Sequence, residues 1–161
     1  IEQHVRDVRV AMIYEGTNEI QAIDLLLRKV LPDGGGALSA VLLELRDELD
    51  ASREADADAQ RRLAQLRYLG TSVAMAAQAD PRLPYEVADD FLRAVMLGLM
   101  AWAWARIEGA AAGDVRWSRP AAAFRRWALP EFEMRLGMVK RAAEGALSAH
   151  AEKTSPVLAR Q

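Results

Sequence analysis

The chain has 161 residues, 52% of them hydrophobic and 27% charged, which is enough apolar matter for one ordinary core and excludes disorder by composition. Its 21 basic and 23 acidic residues leave a formal net charge of -2, a balance that supplies no field for nucleic acid or an anionic membrane surface. With no cysteine, disulfides and thiolate metal sites are excluded, and His4 and His150 lie too far apart in sequence for a local metal motif.

The first ten residues, I-E-Q-H-V-R-D-V-R-V, are charged and lack the apolar core of a signal peptide, so a soluble, cytoplasmic protein is expected. They already have a helical pattern, with Val5, Val8 and Met12 on one stripe and no starting cap. Because residue 1 is Ile, the functional unit is expected to be longer than this chain. Tyr14 to Gly16 interrupts the helix, Thr17 is placed to cap the next one, and Glu19 follows in its first turn. Ile20, Ile23, Leu27, Val30 and Leu31 continue at the spacing of one face. Pro32, Asp33 and Gly34-Gly35-Gly36 then end the helix as a linker and mark the clearest boundary.

A third helix is expected from Ala37, with Leu38, Val41, Leu42, Leu45 and Leu49 on its stripe. Residues 51–60, rich in alanine and charge, read as solvated helix or a break. Leu63, Leu66, Leu69 and Val73 mark a fourth helix to about Ala79, followed by a loop from Asp80 to Pro84. Residues 85–112 read as a long apolar helix closed by Gly113 and Asp114. Its run Ala94 to Ala105 is 12 residues long, against the roughly 20 that a membrane span needs, so a buried central helix is expected. Trp102 and Trp104 cannot share a face, which leaves one of them for a subunit contact.

Trp117-Ser118-Arg119-Pro120 resembles a helix start, capped at Ser118 or Arg119 with Pro120 in the first turn. Pro130 separates that helix from a last one over 131–152, and the tail from Thr154 should fray. No stretch alternates long enough to be a strand. The expected fold is an all-α, up-and-down helical bundle.

Several groups read as ordinary structure. His4 and Asp7 have the spacing of a surface pair, and Arg125, Arg126 and Arg135 lie among many acids as a solvated face. Trp102, Trp104, Trp117 and Trp127 are expected as core or interface anchors, and Met96, Met100, Met134 and Met138 as helical packing. Gly34 to Gly36 lacks a phosphate-loop lysine.

Y-E-G-T, residues 14–17, is different: an acid beside a glycine at a break between helices, where free N–H groups can meet a ligand and glycine permits close approach. On these residues alone, a turn carrying a surface glutamate is the default reading. The longer stretch R-D-V-R-V-A-M-I-Y-E-G-T-N-E-I-Q, Arg6 to Gln21, is similar to the carboxyl-terminal active-site segment of the acyl-CoA dehydrogenases. L-L-R-K-V-L-P-D-G-G-G, Leu26 to Gly36, continues the match. The chain departs from the family at Leu27, where Gly is common, and at Ala22, where Arg is common. From Ala37 onward it more weakly resembles the added helical domain of the longer members.

The resemblance implies that residues 1–31 end the catalytic helical domain and residues 32–161 form the added one. It implies an FAD-dependent oxidation of acyl-CoA to trans-2-enoyl-CoA. Glu15 matches the base that removes the α-proton, while Gly16 and Tyr14 match positions along the substrate. Thr17, Asn18 and Glu19 match positions that contact FAD. A homo-oligomer and an electron-transfer flavoprotein as acceptor are implied as well. A desolvated carboxylate has a raised pKa and is a stronger base toward a weakly acidic thioester α-carbon. The family's thioester oxygen is held by a flavin hydroxyl and by the N–H of this glutamate, which stabilise the developing enolate. A non-catalytic helical oligomerisation module is the alternative from a different class.

Overall fold

The computed structural model of the chain describes residues 2–9, 17–50, 56–111 and 113–154. In chain order the helices are α1 (Glu2–Arg9), α2 (Thr17–Ile23), α3 (Gly36–Asp50), α4 (Ala57–Ala79), α5 (Leu83–Ala111), α6 (Val115–Trp127) and α7 (Pro130–Thr154). No strand occurs among the described residues, and the fold is all-α as expected.

Helices α4, α5 and α7 pack on one another, with α3 laid on α4 and α2 on α5. The apolar period dictates this arrangement. Leu63, Leu66, Leu69 and Val73 recur every three or four residues along α4, and all four are fully buried. They join Phe91 and Ala94 of α5 and Phe132, Leu136 and Val139 of α7 in a continuous apolar cluster. Burying each large side chain of this kind contributes about 1.5–3 kcal/mol relative to exposure. At Gly98 the helices approach so closely that a Cβ would stand 2.6 Å from Leu66 Cδ1 and 3.2 Å from Phe132 Cε2.

Caps decide where the helices start; the structure settles one start left open and corrects two others. The Asp56 carboxylate accepts from the N–H groups of Asp58 (2.9 Å) and Ala59 (3.0 Å), so α4 begins at Ala57 within the segment expected to be ambiguous. Helix α5 begins at Leu83 and takes Pro84 into its first turn, where a missing N–H costs nothing. Helix α6 is capped by Asp114, not by Ser118 or Arg119; its carboxylate accepts from Arg116 N at 2.9 Å. A carboxylate one turn upstream satisfies the free N–H before Ser118 is reached, and Pro120 therefore lies inside the helix.

The glycine run is a capped turn, tighter than a linker. Gly34 and Gly35 adopt φ of +68° and +87°, and Gly35 N donates to Val30 O at 2.8 Å. The Asp33 carboxylate accepts from Gly36 N (3.0 Å) and Ala37 N (2.6 Å) and so starts α3 at Gly36.

Helix α2 departs most from its expected face. It widens into a π-helical stretch, Asp24–Val30, closed by a bond from Leu31 N to Leu26 O, and then tightens into a 3-10 turn, Leu31–Asp33. The changed winding buries Ala22, Leu26 and Val30, leaves Ile23, Leu27 and Leu31 half-buried, and turns Ile20 outward at 64% exposure. Val41 and the four methionines Met96, Met100, Met134 and Met138 are likewise exposed, because each lies on the flank of a helix whose inner face is already filled. Trp117 and Trp127 are exposed rather than core anchors. Trp102 and Trp104 are half-buried, and the Trp102 indole N–H donates to Leu45 O at 3.0 Å.

Candidate functional site

Tyr14, Glu15 and Gly16 lie outside the described residues. Thr17, Asn18 and Glu19 form the first described turn of α2, and all three are exposed. Thr17 is already helical there, rather than a residue ahead of the helix. The segment is anchored just downstream: Ala22 and Leu26 enter the core against α5, and Arg28 donates to Asp24 across one turn at 2.6 Å. The three candidate cofactor residues and Ile20 are thus gathered on one rim of the bundle, facing outward. Helix α1 exposes every described side chain, and in it Asp7 accepts from Gln3 Nε2 at 2.9 Å rather than pairing with His4.

Downstream of that rim lies an open apolar groove of about 720 Å³, lined by Leu25, Val41, Leu45, Leu92, Met96 and Met100 among others. Its lining has no ionisable side chain, and its indole N–H, from Trp102, is already given to Leu45. The groove offers nothing to orient a thioester or a flavin. Sequence reasoning missed it, although α5 is apolar on more sides than one core face requires, which is its signature. A smaller cleft of about 280 Å³ lies between Asp56, Arg62, Trp104, Phe124 and Arg125.

The charged groups hold helices together. Arg135 of α7 bonds to Asp90 of α5 and, at 3.0 Å, to Glu131; these partners, Asp90 first, raise its pKa. Arg125 of α6 is clamped bidentately by Glu108 of α5, which raises its pKa too. The side chain of Arg116, followed by its backbone N–H, lowers the pKa of Asp114. Each shift deepens a charge the group already carries at neutral pH, so none of these groups is poised as an acid or base. Arg125 and Arg135 are therefore separate clamps, not one basic face with Arg126. No cluster of metal-ligating side chains occurs among the described residues.

Two curated proteins match the chain. The broad-specificity linear acyl-CoA dehydrogenase FadE5 of Mycobacterium tuberculosis is 31% identical over 140 residues, covering 72% of this chain and 22% of that protein. The 3-methylmercaptopropionyl-CoA dehydrogenase of Ruegeria pomeroyi is 37% identical over 112 residues, covering 65% of this chain and 18% of that protein. The chain spans about a fifth of the length of these relatives. No family model matches it, and no solved structure gives a significant match. Both matches reach well beyond the stretch from Arg6 to Gly36, and the chain is a relative of the acyl-CoA dehydrogenases along most of its own length.

Proposed function

We propose that the chain is the carboxyl-terminal part of a soluble, cytoplasmic, FAD-dependent acyl-CoA dehydrogenase that converts acyl-CoA into trans-2-enoyl-CoA. The observation that carries this reading is the run Y-E-G-T-N-E-I-Q, residues 14–21, in a chain whose matched relatives are both acyl-CoA dehydrogenases. In the proposal, residues 1–31 complete the catalytic domain and residues 32–161 are an added helical domain. The parent protein is a homo-oligomer and hands its electrons to an electron-transfer flavoprotein.

The residues present fit one edge of a flavin cofactor. Thr17, Asn18 and Glu19 keep a hydroxyl, an amide and a carboxylate out of the bundle core, where a group held by the rest of the protein can reach them. Bound flavin supplies the hydride acceptor. The chain's own part is proton transfer and positioning. Glu15 takes the α-proton of the thioester, the α-C–H electron pair becomes the new double bond, and the β-hydrogen departs with its electrons. The Glu15 backbone N–H donates to the thioester oxygen as negative charge develops there. Gly16 and Tyr14 border the acyl chain.

The test uses the full-length polypeptide, which is expected to be yellow. Glu15→Gln should leave flavin absorbance intact and lower turnover by about four orders of magnitude, because the base is gone while the cofactor contacts remain. A colourless wild-type protein, or a Glu15→Gln variant that turns over normally, would overturn the reading.

A further inference from the structure

The cleft of about 280 Å³ between α4, α5 and α6 holds a buried donor that no acceptor answers. Helix α5 brings the small side chains Ala101 and Ala105 to its wall, which leaves the hollow. Trp104 and Phe124, with ring centroids 6.4 Å apart and planes tilted by 32°, form its aromatic side. Both carboxylates on the lining are engaged. Asp56 accepts from the N–H groups of Asp58 and Ala59, and Asp58 pairs with Arg61 at 3.0 Å. Of the two guanidinium groups, Arg125 is clamped by Glu108. Arg62 is not: its Nε is buried without a hydrogen-bond partner, and its side chain forms no ion pair among the described residues. The Trp104 indole N–H likewise has no acceptor among the described residues, whereas that of Trp102 donates to Leu45 O.

A buried donor without an acceptor carries the full cost of its lost hydration, so folded proteins leave few of them. The groups left over in this cleft are two donors, one of them cationic, beside apolar and aromatic walls. That combination matches an anion with an apolar body. A carboxylate takes the edge of a guanidinium through two parallel hydrogen bonds, and a ring or chain attached to it lies against the aromatic side. A phosphate would bring more charge than one free guanidinium satisfies, and a metal cation finds no uncommitted carboxylate. We propose that the cleft binds a small monocarboxylate with an apolar body, its carboxylate on Arg62 and its body against Trp104 and Phe124. The site shares no lining residue with the apolar groove or with α2, and the proposal does not depend on the dehydrogenase reading.

Calorimetric titration of the full-length protein with benzoate tests it, with benzamide as the control for charge and acetate as the control for the apolar body. Benzoate should bind. Benzamide, which keeps the ring and loses the charge, should bind at least about tenfold more weakly. Acetate, which keeps the charge and loses the ring, should also bind more weakly. Arg62→Met should lower benzoate affinity by at least about tenfold, and Trp104→Phe by a smaller factor, because it keeps a ring and removes the N–H. Arg62→Met should leave the urea midpoint unchanged or raise it, since it replaces an orphaned donor with an apolar chain. A lowered midpoint would make Arg62 a structural residue and overturn the proposal. Absence of benzoate binding, the result if another part of the polypeptide fills the cleft, would overturn it as well. So would equal affinity for benzamide or for acetate, or unchanged benzoate binding by Arg62→Met.

Discussion

The α2 segment with its π-helical continuation and helix α4 both display leucine with isoleucine or valine at helical spacing, yet only α4 buries the expected set. In α4 the stripe Leu63, Leu66, Leu69 and Val73 is fully enclosed, because α3, α5 and α7 all pack on it. In α2 and its π-helical continuation the buried set is Ala22, Leu26 and Val30, and Ile20 faces outward. Amphipathic spacing marks a helix in both cases, but the neighbours decide which face is inside. The fully buried large side chains gather mainly around α4, α5 and α7, while Thr17, Asn18, Glu19 and Ile20 lie exposed on the rim.

The sharpest way to break this contrast is to cut into the core. Phe132 is fully buried and touches the site where Gly98 lets the helices meet. Phe132→Ala should cost about 3–5 kcal/mol in urea unfolding, from lost transfer energy and the cavity left behind. A loss near zero would mean that the α4–α5–α7 cluster is not where the stability lies. Next in size is Gly35, which joins the rim to the core. Its φ is +87°, and a Cβ there would lie 3.2 Å from the Gly70 backbone of α4, which cannot yield like a side-chain tip. Gly35→Ala should cost on the order of 1–3 kcal/mol, measured the same way.

The same contrast explains what was legible in the residues. The all-α class and the core face of α4 follow from period and breakers alone, because local spacing and tertiary packing agree there. Helix starts were misplaced at Leu83 and Val115 because a capping carboxylate or a tolerated first-turn proline moves the boundary by a few residues. The outward turn of Ile20 was not legible: the π-helical stretch that rotates the face has no signature in apolar spacing. Of the candidate site residues, Thr17, Asn18 and Glu19 lie exposed in helix, with Thr17 helical rather than ahead of the helix as its cap, whereas Tyr14, Glu15 and Gly16 lie outside the described residues.

A smaller effect is expected at the cap of α4. Asp56→Ala removes the acceptor for two N–H groups and should cost about 1 kcal/mol, while Asp56→Asn should retain most of the stability. Equal losses for both substitutions would assign the effect to charge rather than to capping.

The smallest expected effect is the most informative about the rim. Ile20 is a large aliphatic side chain exposed one residue after the proposed cofactor positions. In the 161-residue chain, Ile20→Ser removes little buried surface and should change stability by less than about 0.5 kcal/mol. With residues 1–31 completing the catalytic domain, as proposed, Ile20 is expected to meet the rest of that domain in the full-length protein. There the same substitution should weaken flavin retention or lower the melting temperature while leaving the chain's own fold intact. A large loss in the short chain would return Ile20 to the core stripe that its spacing suggests. No effect in either context would leave the rim as plain solvated surface and remove the structural reason for assigning Thr17, Asn18 and Glu19 to a cofactor.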